Sequence, residues 1–67
     1  MTKHNYTEGS TVNVFLPRFE TVGTVDSVTA STVTVEFIGP SGPDTRTFRV
    51  RDGQTTFHNG PAIITPR

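Results

Sequence analysis

Between Thr32 and Ile38 the chain alternates without a break: Val33, Val35 and Phe37 fall on one side, and Thr32, Thr34, Glu36 and Ile38 on the other. A period of two is the signature of a pleated strand, whose successive side chains point to opposite faces. The β-branched residues that fill it suit that half-buried surface. Thr11 to Leu16 repeats the pattern, with Val12, Val14 and Leu16 on one face and Thr11, Asn13 and Phe15 on the other. No stretch has the i, i+3, i+4 apolar spacing of an amphipathic helix, and no internal repeat is present. The chain is expected to be all-β.

Three further strands follow from the same reasoning. Val22, Val25 and Val28 are spaced by three rather than two, which predicts a kinked or bulged strand over Val22 to Val28 with Gly23 at the bend. Thr45 to Arg51 points Phe48 and Val50 inward and Thr47, Arg49 and Arg51 outward. Asp52-Gly53 is a two-residue type I′ hairpin signal, so a fifth strand from Gln54 to about His58 should pair with the fourth. The links are Pro17 to Thr21, Thr29 to Ser31, and Gly39 to Asp44, the last expected to be an exposed loop because of its two prolines and two glycines. Asn59-Gly60-Pro61 ends the fifth strand. Five short strands are too few for a sandwich and fit a small five-stranded antiparallel barrel. The expected division is an N-terminal arm at 1–10, the barrel at 11–58 and an extended C-terminal tail at 59–67, with Tyr6 laying its ring over an open barrel end.

A chain of 67 residues has room for one thin core, worth about 3–5 kcal/mol at this size. Its expected members are Val12, Val14, Val22, Val25, Val28, Val33, Val35, Phe37, Phe48 and Val50. With no cysteine, disulfides cannot supplement it. Six basic and six acidic residues cancel, so nothing draws the chain toward polyanions at long range. Residues 1–10 lack the apolar stretch of a signal peptide, and no run approaches the ~18 apolar residues of a membrane span. The expectation is a cytoplasmic location with no membrane contact.

The run Gly23-Thr-Val25-Asp-Ser-Val28 followed by Val33-Thr-Val35 resembles the glycine-plus-hydrophobic pattern of KOW and Tudor-like members of the SH3-like class, over roughly residues 11–57. That resemblance implies an SH3-like barrel. The segment Phe48-Arg-Val-Arg-Asp-Gly53 also resembles small, mostly uncharacterised barrel proteins encoded by bacteriophages. This second likeness implies a host-cell cytoplasm and an accessory role, and it carries over no site residues.

Few side chains are placed for chemistry. His4 and His58 are the only histidines, and without cysteine they make no zinc-site spacing, so no metal and no cofactor are expected. Asp26, Asp44 and Asp52 adjoin glycine, serine or threonine, where carboxylates accept local backbone hydrogen bonds. The hydroxyls alternate with valine as strand filler, and no histidine–acid pair is placed to activate one. The glycines match no phosphate loop. An enzyme is therefore not expected.

What remains is surface. Phe15, Phe19, Ile38, Ile63 and Ile64 exceed what the expected core can hold; some should cover the barrel ends, and the remainder form an exposed patch that binds a partner protein or a second copy. The Ile63-Ile64 tail could instead add a strand to a neighbouring sheet edge. The alternative is a nucleic-acid-associated barrel using Arg46, Arg49 and Arg51 on strand four, with nearby Phe15, Phe19 or Phe57 stacking bases. Against it stand the zero net charge and the bland option of a solvated strand face paired to Glu36 or Gln54.

Overall fold

A computed structural model describes residues 6–50 and 56–67. The alternating segments become strands β1 (Thr11–Leu16), β2 (Phe19–Val28), β3 (Thr32–Gly39), β4 (Gly42–Val50), β5 (Phe57–Asn59) and β6 (Ala62–Pro66). They pair antiparallel in chain order and close into a barrel, because β6 returns to lie against β1 through the pairs Val12–Pro66, Asn13–Thr65, Val14–Ile64 and Phe15–Ile63. The barrel has six strands where five were expected, and the predicted C-terminal tail is the sixth. Without β6 the backbone groups of β1 on that side would face water unpaired.

One face of each strand fills the interior. Tyr6, Val12, Val14, Val25, Val33, Val35, Phe37, Phe48, Phe57, Ala62 and Ile64 make one buried cluster, with Leu16, Val28 and Val50 packed at its margin. Each large apolar side chain so buried contributes about 1.5–3 kcal/mol. Phe57, Ala62 and Ile64 supply the volume that the expected core lacked. Val22 is the opposite case, an expected core residue that lies exposed on the outer face. Its offset of three to Val25 is no bulge. The real register shift falls between Val25 and Ser27, so the extra residue is Asp26, and only the Val25–Val28 spacing marks it.

Tyr6 closes one end of the barrel. Its ring meets Phe57 edge-on at 5.0 Å and 78°, and its hydroxyl donates to the Ile64 carbonyl at 3.3 Å, so one side chain ties β5 and β6 together. Burial pushes its hydroxyl pKa up to about 12. The arm leading from it is docked: the Gly9 N–H donates to the Val25 carbonyl at 2.8 Å and the Val25 N–H to the Ser10 carbonyl at 2.9 Å.

Two expected loops are tight turns. Pro17-Arg18 joins β1 to β2, with Leu16 opposite Phe19, and Arg18 takes φ 63°, the position a type II turn usually gives to glycine. Pro40-Ser41 joins β3 to β4, with Gly39 opposite Gly42, so Pro43 and Asp44 lie in β4. Proline is tolerated there because its missing N–H points away from β3, toward the free side of the strand. The Asp52-Gly53 turn and Gln54 lie outside the described residues.

Gly23 leaves no room for a side chain between β2 and β3. A Cβ at this position would meet Val35 Cγ1 at 2.6 Å, the Glu36 carbonyl oxygen at 2.8 Å and Phe37 Cβ at 3.1 Å. Beyond the pair Gly23–Phe37 the two strands part.

The free side of β4 is managed residue by residue. Among the described residues the short β5 pairs with Arg49 and Val50 of β4, and none gives Pro43 to Thr47 a strand partner on that side. Pro43 has no N–H, the Thr45 N–H donates to Asp44 Oδ1 at 2.8 Å, and the Thr47 carbonyl accepts from Asn59 Nδ2 at 2.9 Å. Proline and side-chain caps are standard means of blunting an exposed edge.

Candidate functional site

The outer faces of β1 to β4 bear two transverse rows of side chains. Thr11, Thr24, Glu36 and Thr45 stand opposite one another across the four strands and form the first. The second is apolar: Val22 precedes the last β2–β3 pair, Ile38 follows it, and Pro43 lies across from Ile38. Between these rows runs an open groove of about 580 Å³ whose floor includes Gly23 and Phe37. It exists because β2 and β3 approach closely at Gly23 and then separate. A second groove of about 490 Å³ lies along Asn13, Phe15, Glu20, Thr21 and Val22, so Val22 is shared by the two.

Phe15, Val22 and Ile38 are 37 %, 45 % and 60 % exposed, large values for apolar side chains on well-paired strands. Of the five residues predicted to bind a partner, Phe15 and Ile38 lie on this surface. Phe19 is half-buried at the start of β2 opposite Leu16, and Ile63 is half-buried opposite Phe15. Ile64 is fully buried, which removes it from any surface: the two-residue period of β6 puts Ile63 outside and Ile64 in the core. The same placement corrects the expectation of a free tail, since β6 is already paired on both sides. Sequence reasoning missed Val22 because its spacing to Val25 was taken as a bulge. Counting back by two from Val25 puts Gly23 inside and Val22 outside.

Of the predicted arginine cluster, Arg46 and Arg49 can be placed. Arg46 and Arg49 occupy opposite faces of β4, and Arg46 donates from Nε to Asp44 Oδ2 at 3.1 Å. Arg49 stands opposite His58, which in turn stands opposite Ile63. Arg51 and His4 lie outside the described residues. Asp44, expected at a turn, lies in β4, where it holds both the Thr45 N–H and Arg46. Asp26 is the exposed bulge residue of β2.

Among the described residues no group of three or more histidine, cysteine or acidic side chains is gathered to hold a metal ion. Nor does any buried side-chain nitrogen or oxygen lack a hydrogen-bond partner. No helix among them is long and apolar enough to cross a membrane. Comparison of the chain with models of known protein families, with curated proteins and with solved structures finds no match.

Proposed function

We propose that this chain is a non-enzymatic protein-interaction module of the SH3-like kind, which binds a partner protein through the outer face of β1 to β4. The observation that carries the reading is the exposure of Phe15, Val22 and Ile38 on the outer faces of β1, β2 and β3, along two grooves that share Val22. Exposed apolar side chains cost solvation in the free protein, and grouped together they mark protein contacts more often than they occur by chance. The strands that present them are paired along most of their length, so little ordering entropy opposes binding. The likeness of residues 48–53 to small phage-encoded barrels fits an accessory role exerted on a host protein. The reading is preferred to the arginine-based alternative because the net charge is zero and Arg46 is paired with Asp44.

The test uses Val22→Lys and Ile38→Lys, both at exposed positions, in co-purification from the native cell and in light scattering over a range of concentrations. Both variants should melt within a few degrees of the wild type while losing the co-purified partner or the larger assembly. A wild type that stays monomeric and captures nothing, or a capture indifferent to both substitutions, refutes the reading.

A further inference from the structure

We infer that the groove across β1 to β4 receives an extended peptide segment of a partner protein that alternates apolar and basic side chains. This rests on the reading of the outer face as a protein-binding surface and names what that surface selects.

The groove has two chemically different walls. Val22, Ile38 and Pro43 line one, and Glu36 with the hydroxyls of Thr11, Thr24 and Thr45 lines the other. Glu36 is exposed, and its neighbours across the strands are Thr24 and Thr45, neither of them basic. The one ion pair among the described residues is Arg46 with Asp44, so the second carboxylate at the groove already has its cation while that of Glu36 has none among the described residues. Glu20, which lines the adjoining groove beside Phe15 and Val22, adds a second negative charge to the same surface. An apolar face edged by carboxylates attracts a positively charged ligand and repels an acidic one.

An extended peptide matches this division. Its successive side chains point to opposite sides, so a strand laid along the groove sends every second residue to the apolar wall and the intervening ones to the Glu36 wall. Other ligand classes fit less well. A nucleic acid would bring phosphates against Glu20 and Glu36. A sugar ring would need a flat aromatic platform within the groove, where Phe37 is only 5 % exposed, and the exposed Phe15 lies in the adjoining groove instead. Pairing of the peptide through its backbone is not required: the free side of β4 is blunted by Pro43, Asp44 and Asn59.

The experiment titrates the whole ¹⁵N-labelled chain with three short synthetic peptides, alternating valine–lysine, valine–glutamate and serine–lysine, and follows amide shifts. The valine–lysine peptide should move Val22, Thr24, Glu36, Ile38 and Thr45, and added salt should weaken it. Glu36→Gln should reduce its affinity roughly threefold to fivefold, the effect of one exposed charge pair, with the other two peptides binding more weakly than the first. Equal binding of the valine–glutamate peptide, shifts elsewhere, or no shift overturns the inference. Shifts that appear on concentrating the chain alone and vanish in Glu36→Gln would assign the groove to a second copy and also overturn it. A natural partner lost with Ile38→Lys but indifferent to Glu36→Gln overturns this inference while leaving the interaction reading intact.

Discussion

Replacing Ile64 by alanine separates two roles for the C-terminal residues. The side chain is fully buried and packs where β6 closes the barrel against β1 and β5. Truncation removes three carbons, a transfer loss of about 2.4 kcal/mol at ~0.8 kcal/mol per methylene. The cavity left behind brings the cost to roughly 2–5 kcal/mol. A chain of 67 residues has a total stability of only about 3–10 kcal/mol at the usual per-residue value. Ile64→Ala should therefore lower the melting temperature by roughly 8–40 °C, since each kcal/mol is worth about 4–8 °C in a domain this small, or leave the chain unfolded. Ile63→Ala, one residue away on the outer face, should cost no more than about 1 kcal/mol. Urea and thermal unfolding followed by circular dichroism measure both. The inverse ranking would mean that β6 is slipped by one residue, which exchanges its two faces, and near-equal, negligible effects would mean that the segment closes nothing.

Tyr6 is the only tyrosine, so phenolate absorbance titrates it alone. Its ionisation should centre near pH 12 rather than ~10. Because the folded pKa is raised, its contribution to stability is complete below pH ~10 and declines as the pH rises toward 12; ionisation near pH 10 in a still-folded chain refutes the plug. Gly23→Ala places a Cβ against Val35, Glu36 and Phe37 at 2.6–3.1 Å and should destabilise by about 1–3 kcal/mol, with amide shifts spreading into the groove; a neutral melt contradicts that packing. Pro43→Thr with Asp44→Ala and Asn59→Ala restores a donor at 43 and uncaps Thr45 and Thr47. Sedimentation should then show concentration-dependent association beyond that of the wild type, and identical profiles would refute the capped edge.

Where alternation was strict, the sequence was legible. Val33, Val35 and Phe37 point inward in β3, Val12 and Val14 in β1, and Phe48 in β4, each as the period of two requires. Legibility failed where a local signal outweighed the pattern. Gly39 to Asp44 reads as a loop by composition, yet a proline whose N–H would point outward costs a strand no ladder bond, so Pro43 fits β4. The residues 62–66 read as a tail because two prolines bound them, although Gly60-Pro61 turns them straight back onto β5. Their other partner is β1, some fifty residues away, and nothing local announces a pairing of that range. The surface site was half legible: Phe15 and Ile38 could be found by surplus, whereas Val22 needed the position of the bulge, and Ile64 needed the existence of β6.

The closed topology also determines how this barrel can meet another protein. A binding module built on an open sheet can recruit a strand through its backbone, and the tail was a candidate for that role. Here β6 is paired on both sides, and the open side of β4 is blunted at Pro43, Thr45 and Thr47. Recognition as proposed would then fall to side chains on the outer face, on strands whose pairing holds them in place before any partner arrives. Adjacent positions then have separable consequences: Val22 and Ile38 face solvent and can be changed without disturbing the core, whereas Gly23 and Phe37, one residue away on each strand, cannot. A partner that binds as proposed should be sensitive to the first pair at constant stability. Sensitivity only to the second pair would mean that binding follows the integrity of the barrel and not its outer face.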